Sequence, residues 1–258
     1  MQFIDTHCHL DAAEFGGNQA ALVQAAQTAG VGRIVVPAVA RANFAAVRQL
    51  CERFPNCAPA YGIHPMYVEN AQPEDLLALR ACLAQPATVA VGEIGLDFFI
   101  EPHDRARQEF YFSIQLKLAR EFELPVLLHI RRAQDIVLKH LRQNKVRGGI
   151  AHAFSGSRQQ AEEFIKLGFK LGFGGAMTHS RATRLRELAA TLPLGSIVLE
   201  TDAPDIPPDF LQRGQPNKPE YLSRIAQTLA ELRGISLQEI ARITTENALS
   251  ALPGLRPK

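Results

Sequence analysis

The chain has 258 residues, 47% hydrophobic and 21% charged, with a formal net charge of +2. That balance excludes a disordered polyelectrolyte and gives no field able to recruit polyanions from a distance, while leaving room for a local basic rim. Four scattered cysteines (Cys8, Cys51, Cys57, Cys82) form no Cys-x-x-Cys pair, and no leader pattern precedes the first apolar run, so reduced thiols and a cytoplasmic location are expected.

A short strand over Phe3–Thr6 opens the chain and runs into His7-Cys8-His9. Side chains alternate along a strand, so His7 and His9 share a face and Cys8 points away. A helix over Asn18–Ala29, a strand over Arg33–Val36 and a helix over Ala42–Phe54 follow. The apolar run Ile34–Ala40 carries Pro37 and is too short to span a bilayer, so no membrane partner is expected. Next come a strand over Ala58–Gly62 with His64 behind it, a helix over Glu74–Ala84, and a strand over Val89–Gly92 with Glu93 behind it. The helix over Asp104–Glu123 repeats Phe110, Ile114, Leu118 and Phe122 at a spacing of four, which predicts its core face. Strands over Val126–His129, Gly149–His152, Lys170–Gly172 and Ile197–Glu200 then alternate with helices over Ala133–Asn144, Arg158–Leu167 and Arg181–Leu192. Two helices, Pro219–Arg233 and Leu237–Leu249, close the order, the second opened by a Ser236…Glu239 capping box.

Strict alternation implies parallel strands with right-handed crossovers, and eight units predict an α/β fold, a (β/α)8 TIM-type barrel forming a single domain over 1–258. No glycine-rich loop follows the first strand, which weakens an open dinucleotide-binding sheet. Active sites of such barrels lie at the C-terminal strand ends. His7, His9, His64, Glu93, His129, His152 and Asp202 all fall there, whereas His103 and His179 fall in loops and His140 in a polar helix. Each taken alone has a plain structural explanation. Together they are hard to explain by packing, because a carboxylate among apolar strand ends is costly unless paired or bound to a cation.

Six ligands exceed one closed four-coordinate site, so two ions sharing a carboxylate are expected. Glu93 is the natural bridge, with His7, His9 and Asp202 on one ion and His129 and His152 on the other. Four imidazoles suit Zn²⁺ or Mn²⁺ better than Mg²⁺, and the metal is left open among the three.

The motifs IDTHCHL (Ile4–Leu10), YGIHP (Tyr61–Pro65), VGEIGLD (Val91–Asp97), LPVLLHIRRA (Leu124–Ala133), HAFSG (His152–Gly156), LETDAP (Leu199–Pro204) and TTENA (Thr244–Ala248) resemble, in order and over nearly the whole chain, the TatD family of metal-dependent deoxyribonucleases within the amidohydrolase-like barrels. The nearest likeness is to a bacterial branch known as uncharacterised metal-dependent hydrolases. The resemblance implies a two-metal site on His7, His9, Glu93, His129, His152 and Asp202, and a 3′→5′ exonuclease or repair-type activity on DNA supported by Mg²⁺ or Mn²⁺.

The expected reaction is metal-assisted phosphodiester hydrolysis with Asp202 as general base. His64 and Arg131 are placed on the phosphate, and Arg213 and Asn217 in a substrate-binding loop overhanging the site. Phe98, Phe154 and Phe173 are candidates to stack a base. Rival readings are a cyclic-amide hydrolase or deaminase, an aminoacyl-tRNA ester hydrolase, and a metal-bound binding module without turnover. Many two-metal members of the first class carry a modified lysine where this chain has Glu93. No heptad or long apolar stripe calls for a partner chain, so a monomer is expected.

Overall fold

The computed structural model describes residues 2–256. Eight parallel strands form one sheet in sequence order: β1 (Phe3–Asp5), β2 (Val31–Pro37), β3 (Cys57–Tyr61), β4 (Ala90–Asp97), β5 (Val126–Arg131), β6 (Gly149–Ala151), β7 (Phe169–Phe173) and β8 (Ile197–Leu199). The helices α1 (Gln19–Thr28), α2 (Arg41–Arg53), α3 (Pro73–Leu83), α4 (Arg105–Glu121), α5 (Gln134–Gln143), α6 (Arg158–Lys166) and α7 (Thr183–Thr191) intervene, and α8 (Leu222–Arg233) and α9 (Leu237–Ala251) follow β8. This is the (β/α)8 barrel that the alternation predicts. Among the described residues no helix is long and apolar enough to cross a membrane.

Two apolar layers result from strand alternation. Ile4, Val35, Ala60, Ala90, Leu127, Ile150 and Val198 pack together inside the barrel, while Phe3, Ile34, Val36, Val126, Leu128, Ala151 and Leu199 join the layer shared with the helices. The interior layer is completed by Ala248, Ala251, Leu252 and Leu255 from α9 and the turn after it, which plug the N-terminal end. Asn247 gives the TTENA motif a structural purpose, since its amide donates to the carbonyls of Leu194 and Ile197 (2.8 and 2.7 Å) and ties α9 to the start of β8.

Closure between β1 and β8 rests on side chains and loops rather than a long ladder. Thr6 N–H and Oγ1 both donate to Leu199 O, Asp202 N–H to His7 O and His9 N–H to Ala203 O. Asp5 accepts from the N–H and hydroxyl of Thr201 (3.0 and 2.6 Å) and from His7 N–H. Burial pushes the Asp5 carboxyl up to about 7, with the Thr201 and His7 donors opposing.

Two element readings need correction. β4 runs on to Asp97, so Glu93 lies inside the strand rather than behind it. The i, i+4 stripe of α4 holds only in part: Leu118 is buried and Ile114 and Phe122 pack half-buried against the core, but Phe110 is 57% exposed, and Gln108, Tyr111, Phe112, Gln115, Leu116 and Ala119 also face inward. The buried glutamines win this face because each has backbone partners, Gln115 at Ile63 and Gln108 at Asp97.

Candidate functional site

The interior strand residues set the direction of everything above them. Leu127 on β5 is followed two and four positions on by His129 and Arg131; Ile150 on β6 by His152; Val198 on β8 by Glu200 and Asp202. With period two these side chains enter the same space, a cavity of about 940 Å³ at the C-terminal strand ends. Glu93 breaks the count, standing three residues beyond Ala90, and the β4–β5 register shifts between Val91 and Ile94 to bring its carboxylate inward. Asp202 and Ala153 carry left-handed backbone (φ +56° and +43°), a conformation concentrated at functional sites.

Glu93 is the hub. Its Oε2 lies 3.1 Å from His7 Nε2 and 3.4 Å from His9 Nε2, while its Oε1 lies 2.9 Å from His129 Nδ1, 3.3 Å from His152 Nε2 and 3.5 Å from His64 Nε2. Asp202 Oδ1 completes the first group at 3.6 Å from both His7 and His9. The His7 and His9 Nε2 atoms face each other at 3.3 Å, and the His7 and His152 rings stack at 3.8 Å.

Behind the imidazoles stand two further carboxylates outside the predicted ligand set. Asp97 Oδ2 lies 3.0 Å from His129 Nε2, with its Oδ1 held by the N–H groups of Phe99 and Ile100. Glu200 Oε1 lies 3.3 Å from His152 Nδ1 and accepts from Ala153 N–H. Gly172 makes room for it, since a Cβ there would fall 2.2 Å from Glu200 Oε2. The available signal was the same period of two that leads from Val198 to Asp202 through Glu200.

Electrostatics tests whether cations fit. Burial opposes charge on every group, yet the two carboxylates draw protons onto their neighbours. His9 is raised to about 9, because the hydrogen bond and charge of Glu93 and the charge of Asp202 outweigh its burial. His129 and His152 are also raised against burial, the first by Asp97 and Glu93, the second by Asp202, Glu93 and Glu200. Glu93 is held well below the usual range despite burial, by His7, His64, His152 and His129. Burial, with His152, lowers His7 to about 3, and burial raises Asp202 to about 6 against His152 and His9. His7 Nδ1 and Glu200 Oε2 are buried without a hydrogen-bond partner. A cluster that gathers protons around a buried carboxylate and points ring nitrogens at one another suits divalent cations, which take the place of those protons. Donor atoms of His7, His9 and Asp202, of His7, Glu93 and His152, and of His64, Glu93 and His129 each lie within 4.8 Å of one another.

His64 differs from its neighbours. Its Nδ1 accepts from Met66 N–H at 3.2 Å, and burial lowers it to about 4, leaving a neutral ring whose proton sits on Nε2. It therefore offers the cavity a donor rather than a lone pair.

The remaining predicted contacts are divided. Arg131 lines the cavity with its guanidinium 3.7 Å over the Phe99 ring. Arg213 is exposed and outside the cavity lining. Asn217 needs correction as a substrate contact: it is fully buried, donates to Thr201 O and Ile206 O, and accepts from Lys218 N–H. It ties the loop after β8 back to the carbonyls of Thr201, Pro204 and Ile206. Phe98 lies outside the cavity lining, and Phe154 and Phe173 line it at only 3% and 1% exposure, whereas Tyr67 lines it at 48% exposure.

The family model described as TatD related DNase matches residues 4–253. An Escherichia coli K12 protein, "Uncharacterized metal-dependent hydrolase YjjV", is 46% identical over 95% of this chain and 96% of its own length. The crystal structure of YjjV, a TatD homologue from the same organism, superposes with a TM-score of 0.94 at 45% identity, covering 97% of this chain and 98% of that one. A Rahnella protein, "3'-5' ssDNA/RNA exonuclease TatD", is 30% identical over 93% of this chain and 94% of its own length.

Proposed function

The chain belongs to the TatD related DNase family, and from that premise we propose that it is a divalent-metal-dependent phosphodiesterase releasing nucleotides from the 3′ end of DNA. One observation carries the reading: Glu93 turns one oxygen to His7 and His9 and the other to His129 and His152, the division a carboxylate bridging two ions requires. His7, His9 and Asp202 would hold one cation, His129 and His152 the other, with Glu93 shared.

When bound, the cations would supply Lewis-acid polarisation of a phosphoryl oxygen and a more acidic attacking water. Asp202, whose carboxylate stands beside His7 and His9 on the cavity wall, would accept the proton of the attacking water as general base. His64 donates Nε2–H to a non-bridging phosphoryl oxygen, and Arg131 pairs with the phosphate at the cavity wall. Asp97 and Glu200 hold the His129 and His152 rings in orientation.

The test is release of mononucleotides from single-stranded DNA by protein reconstituted with Mg²⁺, Mn²⁺ or Zn²⁺, beside Asp202→Asn. Removing the base is expected to lower kcat by about 10²–10⁴. Equal activity in both proteins refutes the assignment.

A further inference from the structure

The large cavity is poorly furnished for a polyanion. Outside the metal cluster it is lined by Asp11, Glu14 and Asp205 as carboxylates, against Arg131 as the permanent cation. Phosphates beyond the scissile one would meet negative walls there.

Beside it lies a smaller cavity of about 240 Å³, walled by Arg181, Thr183 and Arg184 with Gly156 and Leu188. Ser155 and Leu185 line both cavities, so the two open side by side. Its volume falls below the roughly 300–1,000 Å³ of sites that enclose a whole ligand, which suits one group of a ligand seated mainly next door. Arg184 donates to Ser155 O, holding its guanidinium at the shared wall. Arg181 makes no hydrogen bond or ion pair among the described residues and keeps its full donor set. Acidic residues are absent from this lining.

We propose that this cavity is an anion subsite that takes a phosphodiester of the same strand beyond the scissile linkage, with Arg181 and Arg184 as its ligands. The inference rests on the phosphodiesterase reading and deepens it: the substrate is a strand, held at a second phosphate, rather than a single diester. A guanidinium pair matches a phosphate's oxygens in geometry and charge.

The experiment compares wild type with Arg181→Gln and the double variant Arg181→Gln/Arg184→Gln, metal-loaded, on tetrathymidylate and on bis(p-nitrophenyl) phosphate, which has no second phosphate. Losing one charge-assisted contact is expected to lower the tetrathymidylate to bis(p-nitrophenyl) phosphate ratio of kcat/KM about tenfold, through KM. Fluorescence anisotropy of labelled tetrathymidylate on full-length Asp202→Asn protein, with and without the arginine changes, gives the salt dependence. Its slope should fall by about 0.7 per phosphate released. The single variant guards against misfolding, since Arg181 bonds to nothing that would be lost. A ratio within twofold of wild type and an unaltered salt slope overturn the subsite. If neither substrate is cleaved, the phosphodiesterase reading fails, while Kd and salt slope still decide whether the arginines hold a strand.

Discussion

Glu200 spends one oxygen on His152 and Ala153 and leaves the other buried without a partner. Its value therefore lies in charge and aim rather than in hydrogen-bond satisfaction. A carboxylate behind a histidine fixes the tautomer and raises the basicity of the opposite ring nitrogen. Glu200→Gln keeps the shape and the Ala153 contact but removes the charge. We expect it to weaken metal affinity about 10–100-fold with little change in fold, measured by competition with a chelating indicator. An unchanged affinity would reduce Glu200 to a packing residue. At this scale the sequence carried a great deal, because His7, His152 and Asp202 are each recognisable just beyond a strand, while Glu93 and His129 lie within β4 and β5. It did not reveal which nitrogen of each ring faces Glu93. His129 uses Nδ1 and His152 uses Nε2, a choice made by where Asp97 and Glu200 stand.

Among elements, the segment after β8 differs most from expectation. A basic stretch with glycine and prolines reads from sequence as an overhanging substrate loop, yet Asn217 turns inward and bonds carbonyls on both sides of the turn. Composition does not record which side of a loop is solvated, and the buried carbonyl of Thr201 and the half-buried one of Ile206 decided it. Asn217→Ala should cost about 1–3 kcal/mol of stability by stranding those carbonyls. Thermal unfolding of metal-loaded protein checks it, and a KM effect without a fall in Tm would restore the substrate role. Within the α4 stripe, Phe110 is left outside for a related reason. A four-residue spacing marks a face but not which polar residues nearby find backbone partners, and Gln108 and Gln115 do.

For the whole molecule, stability and metal binding are linked through protons. The unfolded chain releases the His9 proton near 6.5, whereas the folded, metal-free protein keeps it to about 9. Stability from this group is full below 6.5 and is lost as pH rises to 9, and raised His129 and His152 act in the same sense. Cations must expel that proton, so their apparent affinity should rise by about tenfold per unit from this group over the same window. The difference in Tm between metal-loaded and chelator-stripped protein is therefore expected to widen from pH 6.5 to 9; a constant difference would show that the imidazoles are not ligands. The alternation of eight strands and helices, and a metal-type residue on or just beyond six of those strands, were written in the sequence, because period and motif order are local properties of the chain. Tertiary structure alone decided the rest. Barrel closure set Glu93 between two imidazole groups, the register shift in β4 aimed it, and packing brought Ser155 beside Arg181 and Arg184. Those are distances between residues far apart in sequence, and only the closed barrel sets them.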